Sequence, residues 1–411
     1  MKKAFYSLFI LAIAAVLFSG CDKNGNPIDP NPGGSGDHPE LWHYDAPIKG
    51  LADIIPAIDG SGNLYFAGQE EGAAGGTSHV ISVDKNGNER WDVAFEESIT
   101  TQCIYADDKI FLGFGNPVKI YALNASDGSV VWSKDLSDEY DFEWTPQMAY
   151  ANHKLYFTSG QFITGFLFAL NPTDGNELWI SMLYDNNPVD IAIKNDHIYL
   201  DLMGKLSRYD DKGSSADSVW TWKESSKSSR TVLQGNLSIS EDGDIYYRSD
   251  ANEFNIISGS TGETITNIPL DESFNNSYSS VTIDGDGNCF IGNGNLVKFS
   301  ADGSMVWQSD INSGLINPSF SVAPLIGENG KLYNADLFTL SCVKSDGILD
   351  WMLGATDGIG NLHTPTMDND GNIITYATEK GTLYCYKGDG SKLATKGWPK
   401  RYSDMGNTSS N

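Results

Sequence analysis

"ALNASDGSVVW" (Ala122–Trp132) and "ALNPTDGNELW" (Ala169–Trp179) say nearly the same thing 47 positions apart. Repetition at such a spacing points to a repeat architecture, so the rest of the chain is aligned on the turn glycine. Eight units result, at Gly87, Gly128, Gly175, Gly213, Gly262, Gly303, Gly347 and Gly390. The spacings are 41, 47, 38, 49, 41, 44 and 43 residues. A period in the low forties suits one four-stranded propeller blade.

Each unit has the same inner grammar. A short apolar strand such as "SVAPLI" is followed by a turn of Asp, Asn and Gly, then by an alternating strand such as "GKLYNAD" or "HKLYFTS". A third strand, "KIYALN" or "TLYCYK", runs into the Asp-Gly turn, and a fourth carries the tryptophan. Asp/Asn-Gly supplies the positive φ of tight hairpins, while Tyr and β-branched residues suit pleated, half-buried positions. No segment has a sustained helical period. The expectation is an all-β chain: an eight-bladed β-propeller of four-stranded antiparallel blades, or seven blades if the irregular fifth or the last unit is misread.

Trp91, Trp132, Trp179, Trp220, Trp307 and Trp351 recur on the fourth strands. Such repetition argues for wedges between neighbouring sheets, each worth about 4–6 kcal/mol of burial before entropy. The fifth unit has Ile265 near this position and should pack less well. "ELWHYDAP" (Glu40–Pro47) carries a fourth-strand signature ahead of the first full unit. Trp42 is therefore expected to complete the last blade beside "TLYCYK", closing the ring and removing an open edge.

At this point the turns resemble the repeat of PQQ-like (quinoprotein-type) β-propellers. The closing "GWPKRYSDMGNTS" (Gly397–Ser409) is similar to a segment common at the ends of such chains. The resemblance spans roughly residues 40 to 409 and implies a fold more than an activity. Dehydrogenases of this superfamily hold pyrroloquinoline quinone with calcium, beside a pair of adjacent cysteines. Cys103, Cys289, Cys342 and Cys385 are far apart here, so PQQ is not expected and the cysteines read as small buried hydrophobes.

The first 21 residues read as an export segment: "MKK", an apolar run Ala4–Phe18, then "LFSGC". This resembles the lipobox of bacterial lipoproteins, which makes Cys21 the lipidation site; the alternative is an ordinary secretory signal containing a cysteine. Residues 22–39 are dense in Pro, Gly, Asn and Asp and form a tether, leaving 40–411 as the propeller. The place implied is the bacterial cell envelope, at the outer membrane through a lipid anchor, with the side left open. Whole, the chain has a net charge of −27; without Lys2 and Lys3, 25 bases face 54 acids, a net −29. Such a field excludes nucleic acid as a partner.

Chemistry is harder to find. The six histidines lack ligand spacing, and there is no nucleophile elbow and no phosphate-binding glycine loop. Two turns, Asp284-Asp286-Asn288 and Asp368-Asp370-Asn372, alternate oxygens like the first half of a calcium loop, with hairpin-turn chemistry as the competing reading. The loops from fourth to first strands gather on one face. They offer Tyr140, Trp144, Tyr184, Asn186, Tyr278 and His363 as candidate ligand contacts, aromatic planes beside amides that suit a glycan or a peptide. The reading is a non-enzymatic envelope lipoprotein binding a protein or glycan on one propeller face. Two alternatives stand beside it. One is a scaffold similar to the propeller lipoprotein of outer-membrane β-barrel assembly; the other is a carbohydrate-active enzyme with carboxylates at the channel mouth.

Overall fold

The computed structural model describes residues 38–48, 54–70, 77–115, 117–137, 147–161, 164–184, 190–202, 205–223, 237–248, 253–270, 280–293, 295–309, 323–335, 339–353 and 362–410. Cys21 and the tether up to residue 37 lie outside them. Among the described residues there is no helix, and so none long and apolar enough to cross a membrane. The strands form eight antiparallel sheets arranged as an eight-bladed propeller.

Blade 1 runs outward from Ala57–Ile58 through Leu64–Gln69 and Ser78–Val83 to Glu89–Phe95. Blades 3 to 7 repeat this meander. In blade 2 the innermost strand is broken into Ser98–Ile99 and Ile104–Ala106, both paired with Lys109–Gly115. Blade 8 takes Thr366–Met367, Ile373–Ala377 and Thr382–Tyr386 from the end of the repeat and Glu40–Asp45 from its beginning. Trp42 pairs with Cys385, as the ring-closing expectation requires.

The tryptophans join blade to blade. Trp91 donates its indole N–H to Ala125 O at 3.1 Å, Trp132 to Pro172 O at 3.0 Å and Trp220 to Gly259 O at 3.1 Å. Trp307 donates to Ser345 O and Trp42 to Lys85 O, both at 3.0 Å. Every acceptor belongs to the third-to-fourth-strand turn of the next blade. The ring lies flat on that turn's glycine: a Cβ on Gly175 would stand 2.6 Å from Trp132, and one on Gly87 2.6 Å from Trp42. Their positive φ (72° and 81°) and this contact both demand glycine. An aromatic on the second strand leans on most of these rings, as Tyr156 does on Trp179 with centroids 6.0 Å apart.

Blade 5 departs from the expectation. Ile265 is 52% exposed, and register places Thr266, opposite Ile256, where the tryptophan sits elsewhere. Thr266 and Ile268 cover Gly303 instead, within 2.6 and 2.9 Å of a built Cβ, so this turn is covered without an indole. Trp351 differs too: among the described residues its indole N–H has no hydrogen-bond partner, and His38 stacks on its ring at 4.2 Å. All four body cysteines are buried and free, and burial pushes the Cys103 thiol up to about 12.

A four-stranded meander puts its first and third turns on one face and its second turn and outgoing connection on the other. The first face is made of short hairpins. The between-blade connections that leave toward the second are of unequal length, from residues 96–97 to residues 309–324.

Candidate functional site

The short-hairpin face meets the channel axis beneath the C-terminal segment. Trp398 and Pro399 lend their carbonyls to Ile283 N and Ile326 N, at 2.9 and 2.8 Å. Further on, Met405, Gly406, Thr408 and Ser409 accept from Ile58, Tyr105, Tyr150 and Ile193. The segment itself lines an open bowl of about 540 Å³, bounded among others by Leu393, Pro399, Asp404, Met405 and Ser410. That is a ligand-sized volume. Burial raises the Asp404 carboxyl, opposed by its hydrogen bonds from Thr408 and by Lys400.

Between the segment and the innermost strands of blades 4 and 5 lies a polar cavity of about 10 Å³, room for roughly one water. Asp190, Ser238, Ser280, Trp398 and Arg401 line it. Asp190 begins the innermost strand of blade 4, Asp190–Lys194. Its carboxylate accepts from its neighbour Ile191 N at 2.9 Å and from Leu237 N of blade 5 at 3.2 Å. Burial pushes its pKa up to about 7; the Leu237 amide opposes this, Asp201 adds to it and Arg401 opposes it. A lone acid in the apolar run "VDIAIK" is the signal by which the sequence could have singled it out.

Of the candidate ligand contacts, Tyr140, Trp144, Asn186 and Tyr278 lie outside the described residues, as does the Tyr184 side chain at the end of Glu177–Tyr184. His363 is described and is 1% exposed. Its Nδ1 accepts from Ile54 N at 2.6 Å, its Nε2 meets the Thr378 hydroxyl, and its carbonyl accepts from Thr375. This histidine ties the entry to blade 1 onto blade 8.

In the two candidate calcium turns the first aspartate's oxygens accept from the turn's own N–H groups. Asp284 Oδ1 accepts from Asp286 N and Asn288 N at 3.0 and 2.9 Å, and Oδ2 accepts from Asn288 Nδ2 at 2.8 Å. Asp368 holds Asp370 N, Asn372 N and Asn372 Nδ2 in the same way. Asp286 and Asp370 point to solvent. Asp59 and Asp84 repeat this arrangement. The hydrogen bonds are those of an Asx turn, which shapes the hairpin from within. Among the described residues no group of three or more His, Cys, Asp or Glu could hold a metal ion.

A family model described as outer membrane protein assembly factor BamB matches residues 76–180 and 120–387. The chain belongs to this PQQ-like propeller family. No curated protein matches it. Among solved structures, BamB from Moraxella catarrhalis is similar over 85% of this chain and 99% of that one, at 15% identity and a TM-score of 0.62. The quinohemoprotein alcohol dehydrogenase ADHIIG from Pseudomonas putida HK5 is similar over 88% and 78%, at 11% identity and 0.65. That from Comamonas testosteroni is similar over 85% and 76%, at 10% and 0.65. At these identities the likeness extends to the propeller fold alone. This member of the PQQ-like family shares that fold with an assembly factor and with redox enzymes alike.

Proposed function

We propose that this protein is a non-enzymatic envelope lipoprotein, held to the membrane through Cys21, whose propeller binds a protein partner. The observation that carries the reading is the family match, which spans 76–387 and is described as an outer membrane protein assembly factor. The Moraxella BamB structure supports it, because nearly all of that chain is covered by this one. The partner-facing surface is assigned to the longer connections, with Tyr140, Trp144, Tyr184, Asn186 and Tyr278 among its contacts. Long loops on a rigid scaffold are where binding residues concentrate. The short-hairpin face is occupied at its centre by the C-terminal segment.

The test is a pull-down from envelope extracts run beside a glycan array, using residues 38–411 with and without calcium. The reading predicts one membrane protein recovered at stoichiometric yield, lost on Trp144→Ala, with no glycan bound. A glycan hit abolished by Trp144→Ala, without a protein partner, would replace it with polysaccharide capture.

A further inference from the structure

The innermost strand of each blade turns one edge to the axis, where no further strand exists to pair with its N–H groups. In six blades a single equivalent amide is answered by the C-terminal segment. The donors are Ile58, Tyr105, Tyr150, Ile193, Ile283 and Ile326, at 2.7 to 2.9 Å. Each pairs in its own sheet with the residue just before the second-strand aromatic; Tyr150 with Leu155 and Ile326 with Leu332 are examples. The order of acceptors is informative. Residues 398 and 399 serve blades 6 and 7, and Gly397 N donates to Glu241 of blade 5 at 2.8 Å. Residues 405, 406, 408 and 409 then step through blades 1, 2, 3 and 4 in turn.

A path that curls round the axis almost one blade per residue needs tight backbone. Tyr402, Ser403, Asn407 and Ser409 all have φ between 52° and 70°, a conformation side-chain-bearing residues rarely adopt. The crossing is pinned at its middle. Lys400, with no exposed surface, donates to Asp404 O at 3.0 Å and to Asn407 Oδ1, and Asn407 Nδ2 donates to Ile55 O at 2.9 Å and Cys103 O at 3.3 Å.

We propose that residues 397–410 are a hub clasp, tying blades 5–7 to blades 1–4 round the axis at the short-hairpin face. Ring closure then has two fastenings: the Glu40–Asp45 strand at the perimeter and this segment at the hub.

The test is hydrogen exchange on the full chain and on Asn407→Gly, a change that keeps the left-handed backbone unstrained while removing the pin. The clasp predicts that protection at Ile58, Tyr105, Tyr150 and Ile193 falls together by tenfold or more, while the third strands of the same blades are unaffected. Tyr150 and Ile193 are decisive, since among the described residues the blades to which the Asn407 side chain bonds are 1 and 2, through Ile55 and Cys103. Loss confined to Ile58 and Tyr105, no loss, or equal loss in every strand would overturn the proposal. A second variant ending at Lys396 should unfold less cooperatively than the full chain. An equally sharp transition at the same temperature counts against the clasp; should that variant fail to fold, the Asn407→Gly exchange pattern decides.

Discussion

Asp190 is a carboxyl that pays for its burial. Its folded pKa, about 7, lies above the 3.8 of an exposed aspartate, so its neutral form is favoured by folding. That contribution is complete below the unfolded pKa and is lost as pH rises through about 7, at most about 4 kcal/mol for three units. Asp190→Asn should therefore unfold at a higher temperature than the parent at pH 8, with the difference narrowing toward pH 5, measured by thermal melts across that range. His79 has the same pH sign, but it is the charged form that folding favours. Burial opposes its charge, but hydrogen bonds to Asp92 at 2.8 Å and Glu70 at 3.1 Å outweigh it and raise its pKa above 6.5. Its contribution is present below pH 6.5 and fades as pH rises through the raised value, so His79→Gln should cost stability at pH 6 and little at pH 9. At the same scale, the Asx-turn geometry of Asp284 and Asp368 predicts that chelator leaves the melting temperature unchanged. A calcium-dependent rise in that temperature would return those turns to the list of metal sites.

The repeated element is the tryptophan seated on the next blade's turn glycine. It makes a prediction by contrast. Gly175 and Gly213 both have positive φ, 72° and 87°, but a Cβ at Gly175 strikes Trp132 at 2.6 Å whereas one at Gly213 meets nothing within 4 Å. Gly213→Ala should cost about 1 kcal/mol, the backbone cost alone. Gly175→Ala should cost clearly more, because the indole must leave its seat; equal costs in chemical denaturation would contradict this account of the interface. Much of this was legible in the sequence, because turn glycine, tryptophan and strand alternation repeat together, and Glu40–Asp45 carried a fourth-strand signature. Blade 5 was misassigned by one position, since Ile265 looks like the hydrophobic equivalent while the bulge after the turn hands the place to Thr266. Gly213 was aligned correctly, yet its longer turn sets Trp220 seven residues on rather than four.

At the scale of the molecule, two strips of chain hold the ring, and only the perimeter one was anticipated. The C-terminal segment looked like a family signature without a job, because its role lies in carbonyls that point to six different blades, and backbone direction leaves no mark on composition. The candidate binding face was legible only as loop chemistry. His363, placed there by its neighbours in sequence, is folded inward by Ile54 and Thr378. Asp190 and Arg401, which share the small polar cavity, are 211 residues apart in sequence, and only the fold brings them together.

The central claim is that the propeller works as a protein-binding scaffold in the envelope. It is tested most directly by the native mass of the full-length protein, extracted with its membrane in mild detergent and resolved by size with light scattering. The account predicts that the chain migrates in a complex of fixed stoichiometry with a membrane protein, and that Trp144→Ala releases it as a monomer of unchanged melting temperature. A chain that migrates alone under every extraction condition would contradict it.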